Sequence, residues 1–221
     1  MLVTFSCPID LGKIELQPGQ MLALRDIDWS EFERIATALG DRGRSRLAYT
    51  NQRLELRMPL PEHEKIKRFI AIMIEIWLDV LDLDWEPYGS TTFKRQDRQT
   101  AIEPDDCFYI QNAAQMTGLR RVDLTVDPPP DLAIEVDITS PTRLDAYARL
   151  GVPELWRYCD GRVEILQLCE GQYEPCEQSL VLPGVAVLEA MEAFLPRLES
   201  ESSSRLKREF QRWVRDRGLG V

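Results

Sequence analysis

Residues 130–138 read Pro-Asp-Leu-Ala-Ile-Glu-Val-Asp-Ile. The run from Leu132 to Ile138 is apolar and rich in β-branched side chains, and it is too short for an ordinary helix, so it reads as a core strand. Pro128-Pro129-Pro130 holds the approach extended and gives the strand a sharp entry. Two acids interrupt the apolar pattern. Glu135 and Asp137 are two apart and therefore project to the same face. Burying two ionised carboxylates side by side is costly unless a cation or hydrogen-bond donors compensate them. A divalent metal supplies that compensation, and hard oxygen ligands select magnesium or manganese over zinc.

Thirty positions before Glu135, Glu103-Pro104-Asp105-Asp106 opens a second apolar run, Cys107-Phe108-Tyr109-Ile110. An acid at a strand start is by itself an ordinary solvated strand end. A Pro-Asp start, a second acidic strand and a short basic helix after it together point to chemistry. That helix spans Thr142 to Leu150 and ends at Gly151. Beyond it, Leu155 to Tyr158, Val163 to Leu168 and Tyr173 to Cys176 read as strands joined by Asp160-Gly161 and Glu170-Gly171 turns.

Upstream, Pro61 suits a first helical position, and Ile66, Phe69, Ile70, Met73, Ile74, Trp77, Leu78 and Leu81 follow at spacings of three and four. This is the longest helix, packed on a sheet. Before it, Arg46 to Met58 breaks at Asn51-Gln52, and Leu54, Leu56 and Met58 alternate with Arg53, Glu55 and Arg57, which is a hairpin with one wet or functional face. Ser30 to Glu33 reads as a capping box for a helix carrying Phe32, Ile35, Ala36 and Leu39 up to Gly40. From Ser202 onward, Leu206, Phe210, Trp213 and Val214 form an apolar stripe among arginines and lysines. The fold class is α/β (α+β): one mixed β-sheet flanked by helices, with an N-terminal helix and hairpin. The chain divides into a domain over 1–198 and a C-terminal basic amphipathic helix over 199–221.

Composition narrows the function. The 221 residues hold 27 Lys and Arg against 37 Asp and Glu, a net charge of −10. The overall field repels phosphate, which excludes a histone-like or coat-like nucleic-acid binder. Cys7, Cys107, Cys159, Cys169 and Cys176 are scattered, and His63 is the sole histidine, which argues against a zinc knuckle or a disulfide scaffold. Free thiols, an N-terminus without a basic leader, and no window of eighteen apolar residues predict a cytoplasmic protein that does not engage membranes.

Six stretches resemble the Uma-type family of "putative restriction endonucleases", part of the PD-(D/E)XK nuclease superfamily. They are Leu54-Glu55-Leu56, Pro59 to Glu64, Gly89 to Arg95, Glu103 to Ile110, Pro130 to Ser140 and Tyr147 to Tyr158, in the family's order, within a match from about Trp29 to Met191. The resemblance implies a restriction-endonuclease-like core and a metal-dependent phosphodiesterase, an endonuclease acting on DNA with Mg2+ or Mn2+ held by Asp105, Glu135 and Asp137. It places Asp105 and Glu135 at the two acidic motifs. The superfamily's commonest form has lysine two after the second acid, where this chain has Asp137. Family members often carry a lysine four residues before the helical tyrosine, here Arg143 before Tyr147. Arginine stays protonated, so Arg143 is expected to clamp phosphate at a helix start rather than act as a base. His63, on the buried side of the first turn of its helix, reads as either a packing histidine or an active-site group. Glu55 reads as a surface ion pair or a site-facing acid, and Lys94 as a solvated lysine or one approaching the cleft.

Two other functions compete. One is a nuclease-like fold without catalysis that serves as a binding or assembly module; the other is a metal-dependent hydrolase of a small phosphate-containing substrate. A nuclease is expected to gather Lys65, Lys67, Arg68, Lys94, Arg95, Arg98, Arg120, Arg121 and Arg143 around its cleft. The amphipathic tail and the strands after Leu155 also predict a homodimer.

Overall fold

The computed structural model describes residues 13–40 and 45–218; the N-terminal lead-in with Cys7 lies outside them. The described chain opens with β1 (Met21–Leu24) and α1 (Trp29–Leu39). Asp28 caps α1: its Oδ1 accepts from Glu31 N at 2.8 Å, and Glu31 Oε2 accepts from Asp28 N at 3.2 Å. The capping box therefore sits two residues before Ser30 and Glu33. Starting the helix there carries Trp29 and Phe32 onto Tyr49, with ring centroids 5.7 and 4.6 Å away.

The expected hairpin forms from β2 (Arg46–Thr50) and β3 (Arg53–Arg57). Asn51 and Gln52 both take positive φ, 51° and 56°, the left-handed pair that a two-residue hairpin turn needs. Next comes α2 (Pro61–Val80), with proline at its start and one apolar face buried. Four short strands follow: β4 (Glu86–Pro87), β5 (Phe93–Arg95), β6 (Thr100–Ile102) and β7 (Asp106–Tyr109). After the single turn α3 (Ala113–Met116) come β8 (Leu132–Asp137), α4 (Leu144–Leu150), β9 (Glu154–Cys159), β10 (Arg162–Cys169), β11 (Gln172–Cys176), α5 (Val187–Phe194) and α6 (Ser203–Asp216).

These strands make two sheets, where the sequence suggested one. An antiparallel sheet runs β1-β3-β2-β6-β5, and a mixed sheet runs β11-β10-β9-β8-β7-β4. Strands β5 and β6 have three residues each, too few to show a period, and they hold the hairpin as a sheet of its own. In the mixed sheet only β8 and β9 pair in parallel, and α4 is part of the crossover between them. The mixed, helix-flanked α/β architecture is therefore the one the sequence predicts.

Helix α2 lies on the mixed sheet, where Trp77 meets Trp156 edge to face at 6.3 Å. Helix α6 packs on the outside of α2, with Phe210 at 5.0 Å from Trp77 and 5.2 Å from Phe194. Leu206, Phe210 and Val214 are fully buried in this cluster. The apolar stripe that suggested a partner is thus covered from within the chain. No helix among the described residues is long and apolar enough to cross a membrane.

Because Phe210 is buried against three other rings, those of Trp77, Phe194 and Trp213, Phe210→Ala should cost about 3 to 5 kcal/mol of unfolding free energy. Urea denaturation of the full chain checks this. A change within about 0.5 kcal/mol, typical of surface sites, would mean that α6 is not part of the core.

Candidate active site

Strands β7 and β8 pair antiparallel with Asp106 opposite Ile134, so continuing the register by one residue brings Asp105 opposite Glu135. Both carboxyl groups are buried, at 4% and 6% exposure. Asp105 Oδ2 accepts from Val136 N at 2.8 Å, which pins the first motif to the second. The same oxygen lies 2.8 Å from His63 Nε2, from the first turn of α2. With the carboxylate accepting, Nε2 donates, and His63 Nδ1, buried and without a hydrogen bond, lies 3.5 Å from Glu64 Oε1. His63 is therefore an acid-orienting histidine as well as a packed one.

Glu135 Oε1 accepts from the Tyr147 hydroxyl in α4. Its Oε2 lies 3.1 Å from Thr142 Oγ1, which is also 2.6 Å from Asp137 Oδ1. Glu135 and Asp137 thus share a face, as their spacing predicts, with Thr142 between them. Burial pushes the Glu135 carboxyl well above its usual range, and the charge of Asp105 adds to this; the Tyr147 hydrogen bond and the Arg57 charge oppose it. Thr142 has one proton for two carboxyls, and Asp137 is the nearer. The cleft over these groups is lined by Arg46, Arg57, His63, Glu103, Asp105 and Glu135 and has about 30 Å³ of free volume, roughly one water.

Other expected site residues lie elsewhere. Arg143 directs Nε and Nη2 to Asp145 at 3.0 and 2.9 Å and Nη1 to Glu55 at 3.2 Å. Each nitrogen of its guanidinium thus meets a carboxylate, where the sequence suggested a phosphate. Glu55 is buried, held by Arg53, Arg57 and Arg143. Burial disfavours its charge, but the hydrogen bonds from Arg57 and Arg53 outweigh that and keep its pKa low. Lys94, on β5, pairs with both oxygens of Glu33 at 2.8 and 2.9 Å. None of the cations expected around the cleft lines it. Lys94, Arg120 and Arg121 line a larger neighbouring cleft of about 750 Å³, which shares Arg46, Leu47 and Glu103 with the first. The cations that do reach the carboxylates are Arg46 and Arg57, which sequence reading left in the hairpin. The Asn51-Gln52 turn was the available signal, because a two-residue turn fixes Arg46 opposite Arg57.

Among the described residues, no group of three or more His, Cys, Asp and Glu gathers as a metal cage. What exists is a pair of facing carboxylates, one with suppressed acidity, at a cleft whose deepest part has room for about one water and whose mouth opens to solvent. That donor set fits magnesium or manganese, since magnesium keeps several waters and takes one or two carboxylates together with substrate phosphate.

A profile of the Uma2 family, described as "Putative restriction endonuclease", matches residues 29–201. The chain belongs to the Uma2 family. No curated protein matches it. Among solved structures, the fold is similar to that of a protein from Anabaena variabilis described as a putative nuclease belonging to DUF820. The two are 13% identical, with a TM-score of 0.50 over 84% of this chain and 99% of the other, a likeness that shows the fold alone.

The suppressed acidity of Glu135 has a measurable sign. A carboxyl whose folded pKa lies above its ordinary 4.5 contributes stability below that value and loses it as pH rises through the folded pKa. In metal-free buffer the Tm of the parent should fall relative to Glu135→Gln as pH rises from 4.5. Parallel Tm profiles for the two proteins would show that Glu135 ionises freely.

Proposed function

We propose that this Uma2 protein is a metal-dependent endonuclease that hydrolyses DNA phosphodiester bonds. The observation that carries the reading is the burial of Asp105 and Glu135 opposite each other in a polar cleft, an arrangement that the packing of a core does not require. Asp105 and Glu135 would hold magnesium or manganese, with Asp137 tied to the same group through Thr142. Bound there, the ion would supply charge to a scissile phosphate and lower the pKa of a water for in-line attack.

The chain's own residues prepare this site. Val136 N–H and His63 fix Asp105, leaving Oδ1 facing Arg46 at 3.8 Å. Tyr147 fixes Glu135 from the opposite side. The larger cleft, with Arg120 and Arg121 exposed along it, offers a path for a nucleic-acid backbone despite the negative overall charge. Cys107, Cys159, Cys169 and Cys176 are free thiols, in keeping with a reducing cytoplasm. A binding module without catalysis is a second reading, favoured by Asp137 in the place of lysine and by the engagement of Arg143 with Asp145 and Glu55.

Purified protein incubated with plasmid and oligonucleotide should cleave with magnesium or manganese and not with EDTA, and Asp105→Ala should lower the rate about 100-fold or more. His63→Ala, which frees Asp105 without removing it, should weaken magnesium binding about 10- to 100-fold by calorimetry. Metal-independent DNA binding without cleavage by the parent would select the second reading.

A further inference from the structure

Phosphate beside two carboxylates needs positive charge, and neither Asp137 nor the occupied Arg143 supplies it. The first sheet does. Arg46 and Arg57 are Cα partners across the hairpin, so two like charges stand directly opposed, which a sheet normally avoids. Both side chains are largely covered, at 19% and 16% exposure, and both line the carboxylate cleft. Arg46 Nε is buried without a hydrogen bond; Asp105 Oδ1, at 3.8 Å, is an ion-pair partner beyond hydrogen-bond range. Arg57 gives Nη2 to Glu55 Oε2 at 2.8 Å and to the Pro141 carbonyl at 2.7 Å, and its Nε also remains buried and unpaired. Buried donors without acceptors are costly, and two of them in one cleft on opposed arginines leave a gap that oxygen acceptors would fill.

We propose that Arg46 and Arg57 form a paired clamp for the non-bridging oxygens of a phosphodiester, taking over from the hairpin the role of the missing strand lysine. The clamp rests on the nuclease reading of the cleft. Guanidinium groups suit it because they are planar, permanently charged donors that meet two oxygens at once. They bind and neutralise; no proton transfer is assigned to them. Glu55 gains a purpose here as a positioning residue, since its buried carboxylate holds Arg57 by the tip and turns the rest of the guanidinium to the cleft wall.

The test is the binding of a short fluorescent DNA duplex to the full chain, by anisotropy over a range of salt, in calcium buffer and in EDTA. Arg46→Ala and Arg57→Ala should each weaken binding about 10-fold in at least one buffer and reduce the slope of log affinity against log salt by about 1. Lysine at either position should retain the slope. Arg205→Ala, which removes an exposed partner of Glu209 on α6 away from the cleft, should leave both quantities at the parental value. If an alanine variant fails to fold by circular dichroism, the glutamine variant, which keeps a neutral donor, is read in its place. Parental affinity and slope in both arginine variants would overturn the clamp while leaving the nuclease reading intact wherever the parent cleaves with magnesium. A parent that neither binds nor cleaves would overturn both.

Discussion

The hydrogen bond from Val136 N to Asp105 Oδ2 is the constraint on which the site depends. It ties an acid at the start of β7 to the backbone of β8, at the point where the register brings Asp105 and Glu135 together. Two carboxyl groups buried this closely cannot both carry charge cheaply. The chain answers with suppressed acidity at Glu135, a histidine on Asp105, and two arginines on the cleft wall. The histidine comes from α2 and the arginines from the hairpin.

That dependence explains why a second sheet is needed. The mixed sheet presents the acids, and its outer layer of α2, α5 and α6 supplies the apolar mass that keeps them rigid. The hairpin sheet contributes little to that core. It has a small cluster of its own around Phe32, Tyr49 and Leu54, and its other face carries Arg46 and Arg57 to the cleft, with Glu55 behind holding Arg57. The site therefore lies where a stable scaffold meets a charged hairpin, an arrangement that places cations beside acids without putting either in the apolar interior.

The elements with a clear period were legible. The run from Leu132 to Val136, the spacing from Ile66 to Trp77, and the strands separated by Asp160-Gly161 and Glu170-Gly171 all form as their patterns predict. The start of α1 was displaced because Asp28 and Ser30 are both competent caps, and the contact of Trp29 with Tyr49 favours the earlier one. Strands β5 and β6 were invisible because three residues carry no period, so the split into two sheets could not be read. For the site, Asp105, Glu135 and His63 were legible because an acid in an apolar strand, or a histidine on a buried helix face, breaks the local pattern. Arg46 and Arg57 break no pattern, since arginine on the polar face of a hairpin is ordinary.

By itself the sequence determined the strands that carry the acids, the shared face of Glu135 and Asp137, and the absence of a lysine two residues after Glu135. These are local properties, set by pleat, periodicity and residue identity. Only the tertiary structure decided which cations meet the acids. Lys94 and Arg143 are as basic as Arg46 and Arg57, but Glu33 engages the first, and Asp145 and Glu55 engage the second. A long charged side chain pairs with whatever opposite charge the fold brings within about 4 Å, and that proximity is a property of strand register and helix packing across tens of residues.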